Sequence, residues 1–93
     1  MNTELKSNIL RAAEGLKEAG AKEVYIFGSA VSDRFHEGSD VDLAESGLPD
    51  KVFYQALGQA HGCLDRPLDL VDIDEDNPFT RYLKEEGELV RVA

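Results

Sequence analysis

The sequence has a single cysteine, Cys63, and too few basic residues to balance its acids. One cysteine excludes a disulfide within the chain and a zinc cluster built from cysteines. The 10 lysines and arginines stand against 19 aspartates and glutamates, so the formal net charge is −9 at pH 7. Such a surface repels phosphate backbones and anionic lipids, so we expect no direct nucleic-acid binding. A basic partner protein, or metal cations at clustered carboxylates, fits this charge better.

Long apolar runs, repeats and low-complexity tracts are absent as well. No run approaches the roughly 20 apolar residues that span a bilayer, so no membrane association is expected. The beginning of the sequence, MNTELKSNIL, lacks the basic residues and the apolar block of a secretory signal. Together with the single cysteine, these absences favour a cytoplasmic protein. The 93 residues, 42% of them hydrophobic, suit a single domain over residues 1–93 with one modest core.

Apolar spacing and turn residues predict the element order α-β-β-α-β-α-β. The predicted helices cover residues 3–19, about 50–61 and 77–87, and the predicted strands cover 22–28, 40–46 and 67–74, with a short last segment at 88–93 that could be a strand. This order predicts a small α/β or α+β domain with one mixed sheet and helices packed against it. The aromatic residues are expected in the core or at an interface, or to pack the last helix against the sheet.

Two aspartates, Asp40 and Asp42, stand one residue apart in the second predicted strand. Side chains alternate along a strand, so both aspartates share one face while Val41 and Leu43 point into the core. Neighbouring negative charges are unfavourable unless a cation lies between them, and Mg²⁺ prefers oxygen ligands of this kind. Asp69 lies between two leucines of a later strand. If the two strands are neighbours, the three carboxylates could bridge two Mg²⁺ ions.

The first predicted strand ends abruptly at Gly28 and Ser29. Glycine permits a tight turn and a close approach of the backbone to a ligand. The two amides and the serine hydroxyl could donate hydrogen bonds to phosphate oxygens. By contrast, Asp72 and Asp74, near the end of the third strand, are predicted to be solvated.

The segment FGSAVSDRFHEGSDVDLA resembles the GS-x10-D-x-D signature of the polymerase-β-type nucleotidyltransferase superfamily. The short chain and its tail, LDLVDID followed by YLKEEGELV, look like the minimal members of that superfamily, the MNT-type nucleotidyltransferases. The resemblance extends from about Glu23 to Arg91. It implies a nucleotidyltransferase-like fold and transfer of a nucleoside monophosphate to a hydroxyl group, with release of pyrophosphate.

The resemblance also implies a role for each motif residue. Gly28 and Ser29 would hold the triphosphate of ATP. Asp40 and Asp42 would coordinate divalent metal, and Asp69 would hold metal and help to activate the acceptor hydroxyl. The chain has Ala30 where family members often carry a basic residue, and Ser32 and Asp33 lie where a second glycine is common. Arg34 is therefore the nearest base that could contact phosphate.

Many MNT-type proteins are similar to antitoxins that are paired with a small helical HEPN-type toxin. This resemblance implies a hetero-oligomer in which AMP is transferred from ATP to a tyrosine of the toxin. Two other interpretations stay open: a non-catalytic antitoxin or binding module that masks its partner, and a metal-binding α/β domain with an unrelated role. Stoichiometric silencing of the partner would indicate masking, and metal binding without nucleotide dependence would indicate the unrelated domain.

Overall fold

The computed structural model describes residues 3–31, 35–36, 38–87 and 89–93. Three α-helices and four strands lie along these ranges: α1 (Thr3–Ala19), β1 (Glu23–Phe27), β2 (Val41–Ser46), α2 (Phe53–His61), β3 (Leu68–Asp72), α3 (Pro78–Glu85) and β4 (Val90–Arg91). Short 3-10 helices follow β1, at Gly28–Val31, and precede α2, at Asp50–Val52. The element order and the mixed α/β fold class predicted from the sequence are confirmed.

The four strands form one sheet in the order β3-β2-β1-β4. The β1 strand pairs antiparallel with both β2 and β4, whereas β2 and β3 run parallel. A parallel pair needs a long crossover, which α2 provides between β2 and β3. Because β2 lies inside the sheet, Asp42 has Phe27 as its register partner on one side and Asp69 on the other.

Helices pack against both faces of the sheet. One face, which α1 and α2 cover, buries the alternate strand residues Val24, Ile26, Val41 and Leu43. The opposite face packs against α3 through a smaller cluster: Phe27, Ala44, Ile73 and Leu83. Asp42 and Asp69 share a strand face with this second cluster, since Ala44 follows Asp42 by two residues and pairs in register with Val71.

The ends of the helices follow local sequence signals. The α1 helix ends before Gly20, whose φ of +126° lies in the left-handed region that glycine adopts most readily. At the start of α3 the Asn77 side chain accepts a hydrogen bond from the Thr80 amide at 2.9 Å. The Thr80 hydroxyl accepts one in return from the Asn77 amide at 3.1 Å, which completes a capping box.

The structure differs from the sequence predictions at several positions. Asp40 lies just before β2 rather than within it. Tyr54 lies outside the core, since it is 81% exposed, so only the interface part of its prediction stays open. Tyr82 and Phe79 of the last helix are 54% and 49% exposed, and the Phe79 ring packs edge to face on Phe27 with centroids 6.2 Å apart. No helix within the described ranges is both long and apolar enough to cross a membrane.

Candidate active site

The turn after β1 brings the backbone against Asp42. Gly28 has a φ of +73°, a backbone conformation that residues with a Cβ atom rarely adopt. A Cβ atom at this position would collide with the Asp42 carboxylate, lying 3.2 Å from its Cγ. Both the backbone conformation and the close approach therefore require glycine here. Ser29, half-buried, follows within the same short 3-10 helix.

Asp42 and Asp69 face each other across the parallel β2–β3 pair. They are register partners, and alternation puts both side chains on the sheet face that also packs against α3. Asp42 is half-buried and Asp69 is exposed to solvent. The structure therefore places these two predicted site residues together, as the interpretation of the sequence required.

The surroundings of Asp42 disfavour its negative charge. Burial raises the pKa of the Asp42 carboxyl, and the charge of Asp69, a hydrogen bond with Asp69 and the charge of Asp40 raise it further. Among the described residues, no lysine or arginine contributes to this shift. Ionised Asp42 is thus held among like charges, an arrangement that a bound cation would relieve.

Asp40 lies at the edge of this carboxylate pair. Its side chain is exposed, and its charge acts on Asp42. Across the ranges that the structure covers, no three histidine, cysteine, aspartate or glutamate side chains converge as a metal site. The structure therefore brings together a pair of carboxylates beside Gly28, with a third acid nearby, rather than a closed triad. Arg34, the predicted phosphate contact, lies outside the described residues.

Arg66 fixes the segment that leads into Asp40, and the sequence analysis missed it. Its Nη1 donates a hydrogen bond to the Ser39 carbonyl at 3.3 Å, and its guanidinium lies 5.4 Å from the centroid of the Phe35 ring. The Arg66 side chain is only 11% exposed, and its Nε lies 3.4 Å from an Asp65 carboxylate oxygen. An arginine between Asp65 and Pro67 gives no signal in the sequence, because the loop it holds lies 27 residues earlier in the chain.

His36 forms hydrogen bonds with residues of its own loop. The Nδ1 atom of His36 accepts a hydrogen bond from the Gly38 amide at 3.1 Å, and the His36 amide donates to the Ser39 hydroxyl at 3.0 Å. The Ser39 amide returns a bond to the His36 carbonyl at 2.9 Å. These bonds shape the turn before Asp40.

Comparisons with known proteins agree with this geometry. The sequence profile of the family described as "Polymerase beta, Nucleotidyltransferase" matches residues 9–91. Curated proteins include no match to this sequence.

Solved structures share the fold at low sequence identity. A crystal structure described as a toxin–antitoxin with AMP-PNP superposes with a TM-score of 0.69 at 20% identity, covering 95% of this chain and 72% of that chain. A crystal structure of the toxin–antitoxin MntA–HepT superposes with a TM-score of 0.65 at 17% identity, covering 94% of this chain and 70% of that one.

Proposed function

The chain belongs to the polymerase beta nucleotidyltransferase family, and we propose that it transfers AMP from ATP to a hydroxyl group of a partner protein. The observation that carries this proposal is the placement of Asp42 opposite Asp69 beside the Gly28 turn. Phosphoryl-group chemistry depends mainly on positioning and on neutralising charge. A carboxylate pair next to a turn that admits close approach is suited to both tasks.

Each residue of the site has a part in this proposal. The backbone amides of Gly28 and Ser29, which share one short 3-10 helix, and the Ser29 hydroxyl would donate hydrogen bonds to the triphosphate. Asp40, Asp42 and Asp69 would hold Mg²⁺, because carboxylate oxygens are the ligands that this ion prefers. When bound, Mg²⁺ would offset the repulsion among the carboxylates and the charge of the triphosphate. Arg34 stays a predicted phosphate contact.

Asp69 is placed to act on the acceptor. Its carboxylate is exposed, whereas that of Asp42 is half-buried, so an incoming hydroxyl reaches Asp69 more readily. In the proposed step the hydroxyl oxygen bonds to the α-phosphorus of ATP and the bond from that phosphorus to the bridging oxygen breaks. Pyrophosphate leaves, and the hydroxyl proton passes to the Asp69 carboxylate.

The class of partner protein is inferred from the similar solved structures and from the family resemblance of the sequence. Structures with this fold are described as toxin–antitoxin complexes, one of them with AMP-PNP. We therefore propose a toxin protein as partner, of the small helical HEPN type, with a tyrosine as acceptor. The same proposal makes the protein the antitoxin of a cytoplasmic hetero-oligomer that lacks direct contact with nucleic acid or membrane.

The test uses ATP labelled at its α-phosphate, Mg²⁺ and the protein encoded next to this chain. Wild-type protein should label the partner, and Asp42→Asn and Asp69→Asn should each reduce labelling at least about 100-fold, in the range that loss of one catalytic group produces. Glu14→Gln, an exposed acid on α1, is the matched control and should label normally. Full labelling by Asp42→Asn would refute the catalytic proposal.

Stoichiometry separates catalysis from masking. A catalyst should silence a several-fold excess of partner in the presence of ATP. A masking module would require at least equal amounts and would be indifferent to the Asp69→Asn substitution.

A further inference from the structure

A second concave surface lies at the end of the sheet opposite the Gly28 turn. The parallel strands β2 and β3 begin near Asp42 and Asp69 and end at Ser46 and Asp72. Beyond those last residues, the start of α2 and the segments that follow the two strands enclose a groove of about 690 Å³. We call this surface the acidic groove, after the four carboxylates that line it: Asp50, Asp72, Asp74 and Glu75.

Hydrogen bonds hold two of the groove carboxylates, and no lysine or arginine stands among the described residues that line the groove. Asp74 accepts hydrogen bonds from the Ser46 hydroxyl at 2.8 Å and the Gly47 amide at 2.7 Å. These two bonds lower the pKa of Asp74, and the charges of Lys84 and Lys22 lower it further from the edge of the groove. Asp72 is held by a hydrogen bond from the Asp74 amide at 2.9 Å. Two of the four groove acids, Asp72 and Asp74, are therefore held in fixed positions.

A buried acid behind the groove wall has no complete set of partners. Glu45 is 0% exposed and is the register partner of Asp72, on the same strand face. Its Oε2 accepts a hydrogen bond from the Leu48 amide in the groove wall at 3.1 Å. Its Oε1 is buried and accepts no hydrogen bond from any described residue. An unpaired buried carboxyl oxygen is costly in a folded protein, and this one lies directly behind the Leu48 segment of the groove wall.

Aromatic surface completes the groove. Tyr54 is 81% exposed, and its ring meets the Phe53 ring edge to face, with centroids 5.4 Å apart and planes at 84°. Both rings line the groove with the four acids. A planar cation can stack on an exposed tyrosine ring while its N–H groups bond to carboxylates. Guanidinium combines these two properties, whereas the ammonium of lysine does not.

We propose that the acidic groove binds an arginine-bearing segment of a protein partner. Charge complementarity selects the occupant: four lining acids and a chain with a net charge of −9 favour a cationic segment and repel a nucleic acid. The inference does not depend on nucleotide transfer, because the groove and the Gly28 turn lie at opposite ends of the β2–β3 pair.

The probe is a capped pentapeptide, acetyl-Gly-Arg-Ala-Arg-Gly-amide, and its control is the same peptide with citrulline in place of both arginines. Citrulline keeps the planar shape and removes the charge. Titration is followed by the amide resonances of the full-length ¹⁵N-labelled chain. The arginine peptide should shift Leu48, Tyr54 and Glu75 and leave Ser29 and Asp69 in place. The citrulline peptide should shift none of them.

Two exposed positions test the groove without disturbing the core. Asp50→Asn and Tyr54→Leu should each weaken binding of the arginine peptide about five-fold, the upper end of the loss expected for one exposed cation–π contact or one exposed ion pair. Glu14→Gln on α1 and Tyr82→Leu on α3 remove a matching acid and a matching exposed tyrosine elsewhere, and should leave affinity unchanged.

Three results would overturn the proposal: no localised shifts, equal binding of the citrulline peptide, or an equal loss of affinity in Glu14→Gln and Asp50→Asn. The last result would mean that the peptide responds only to the overall negative field. A separate titration of the same sample with Mg²⁺ and ATP monitors Ser29 and Asp69. The proposal for the acidic groove and the proposal for the nucleotide site can therefore be refuted independently of each other.

Discussion

Glu45 is a fully buried acid whose titration affects the stability of this fold. Burial raises its pKa to about 7 from an ordinary value of 4.5, the Leu48 amide opposes the shift, and the charges of Asp72, Asp74 and Asp50 add to it. Between these two values the folded chain keeps a proton that the unfolded chain has released. Folding stability therefore falls as pH rises through this window, and the whole penalty is present above about pH 7.

Glu45→Gln tests this assignment because glutamine cannot ionise. At about pH 8 the variant should be more stable than the wild type by up to about 3 kcal/mol, the equivalent of the pKa shift. The advantage should shrink steadily toward about pH 5, where the wild-type carboxyl is protonated in the folded state. Urea denaturation of both proteins across this range measures the difference. Glu14→Gln should show no such trend, and a Glu45→Gln advantage independent of pH would contradict the assignment.

At the scale of elements, the sequence predicted what depends on local periodicity. The apolar spacing of α1 and the glycine after it predicted a helix over residues 3–19, which matches the structure. Alternation also placed Asp42 on the opposite strand face from Val41 and Leu43, both of which are buried. The same alternation places Glu45 on the core face of β2, so the pattern also predicts the burial of this acid.

Pairings between distant segments could not be predicted from local patterns. From the sequence, Asp42 and Asp69 could be expected to meet only if their two strands were neighbours. The structure shows that β2 and β3 pair in parallel with these two residues in register. Asp74 is exposed as predicted, yet its bonds to Ser46 and Gly47, 28 and 27 residues away, fix it to the end of β2. Asp72 was predicted to be solvated, but it is half-buried, and its register partner on β2 is the fully buried Glu45.

The start of α3 offers a test of one element. Asn77→Ala removes the side-chain oxygen that accepts from the Thr80 amide, so it should lower the free energy of unfolding by about 1 kcal/mol. Asn77→Asp keeps an acceptor and adds a charge at the positive end of the helix, so it should retain the stability of the wild type. Urea denaturation at constant pH measures both. Equal stability of Asn77→Ala and the wild type would show that the capping box contributes nothing.

Over the whole molecule, the β2–β3 pair carries two acidic pairs, one at each end. Asp42 and Asp69 meet near the Gly28 turn on the face packed against α3, whereas Glu45 and Asp72 meet beside the acidic groove on the other face. One parallel register thus creates both arrangements. Each places like charges close together, at a cost in stability that ligand binding would offset.

The net charge of −9 gives a prediction for the whole chain. Repulsion among the acids destabilises the compact state, and salt screens it with a Debye length of about 10 Å at 0.1 M. Raising NaCl from about 0.02 M to about 0.3 M should therefore raise the thermal midpoint by a few degrees. Glu14→Lys combined with Glu18→Lys changes two exposed positions on α1, outside both proposed sites.

This double variant raises the net charge by four units and should respond less steeply to the same salt. Because α1 retains its buried face of Leu5, Ile9 and Leu16, the variant should fold normally. Thermal melts by circular dichroism at several NaCl concentrations measure the two slopes. Equal slopes would mean that local contacts, rather than the summed negative field, set the response of this molecule to salt. A smaller slope in the variant would mean that the summed negative field destabilises the compact state, since salt then has less repulsion to screen.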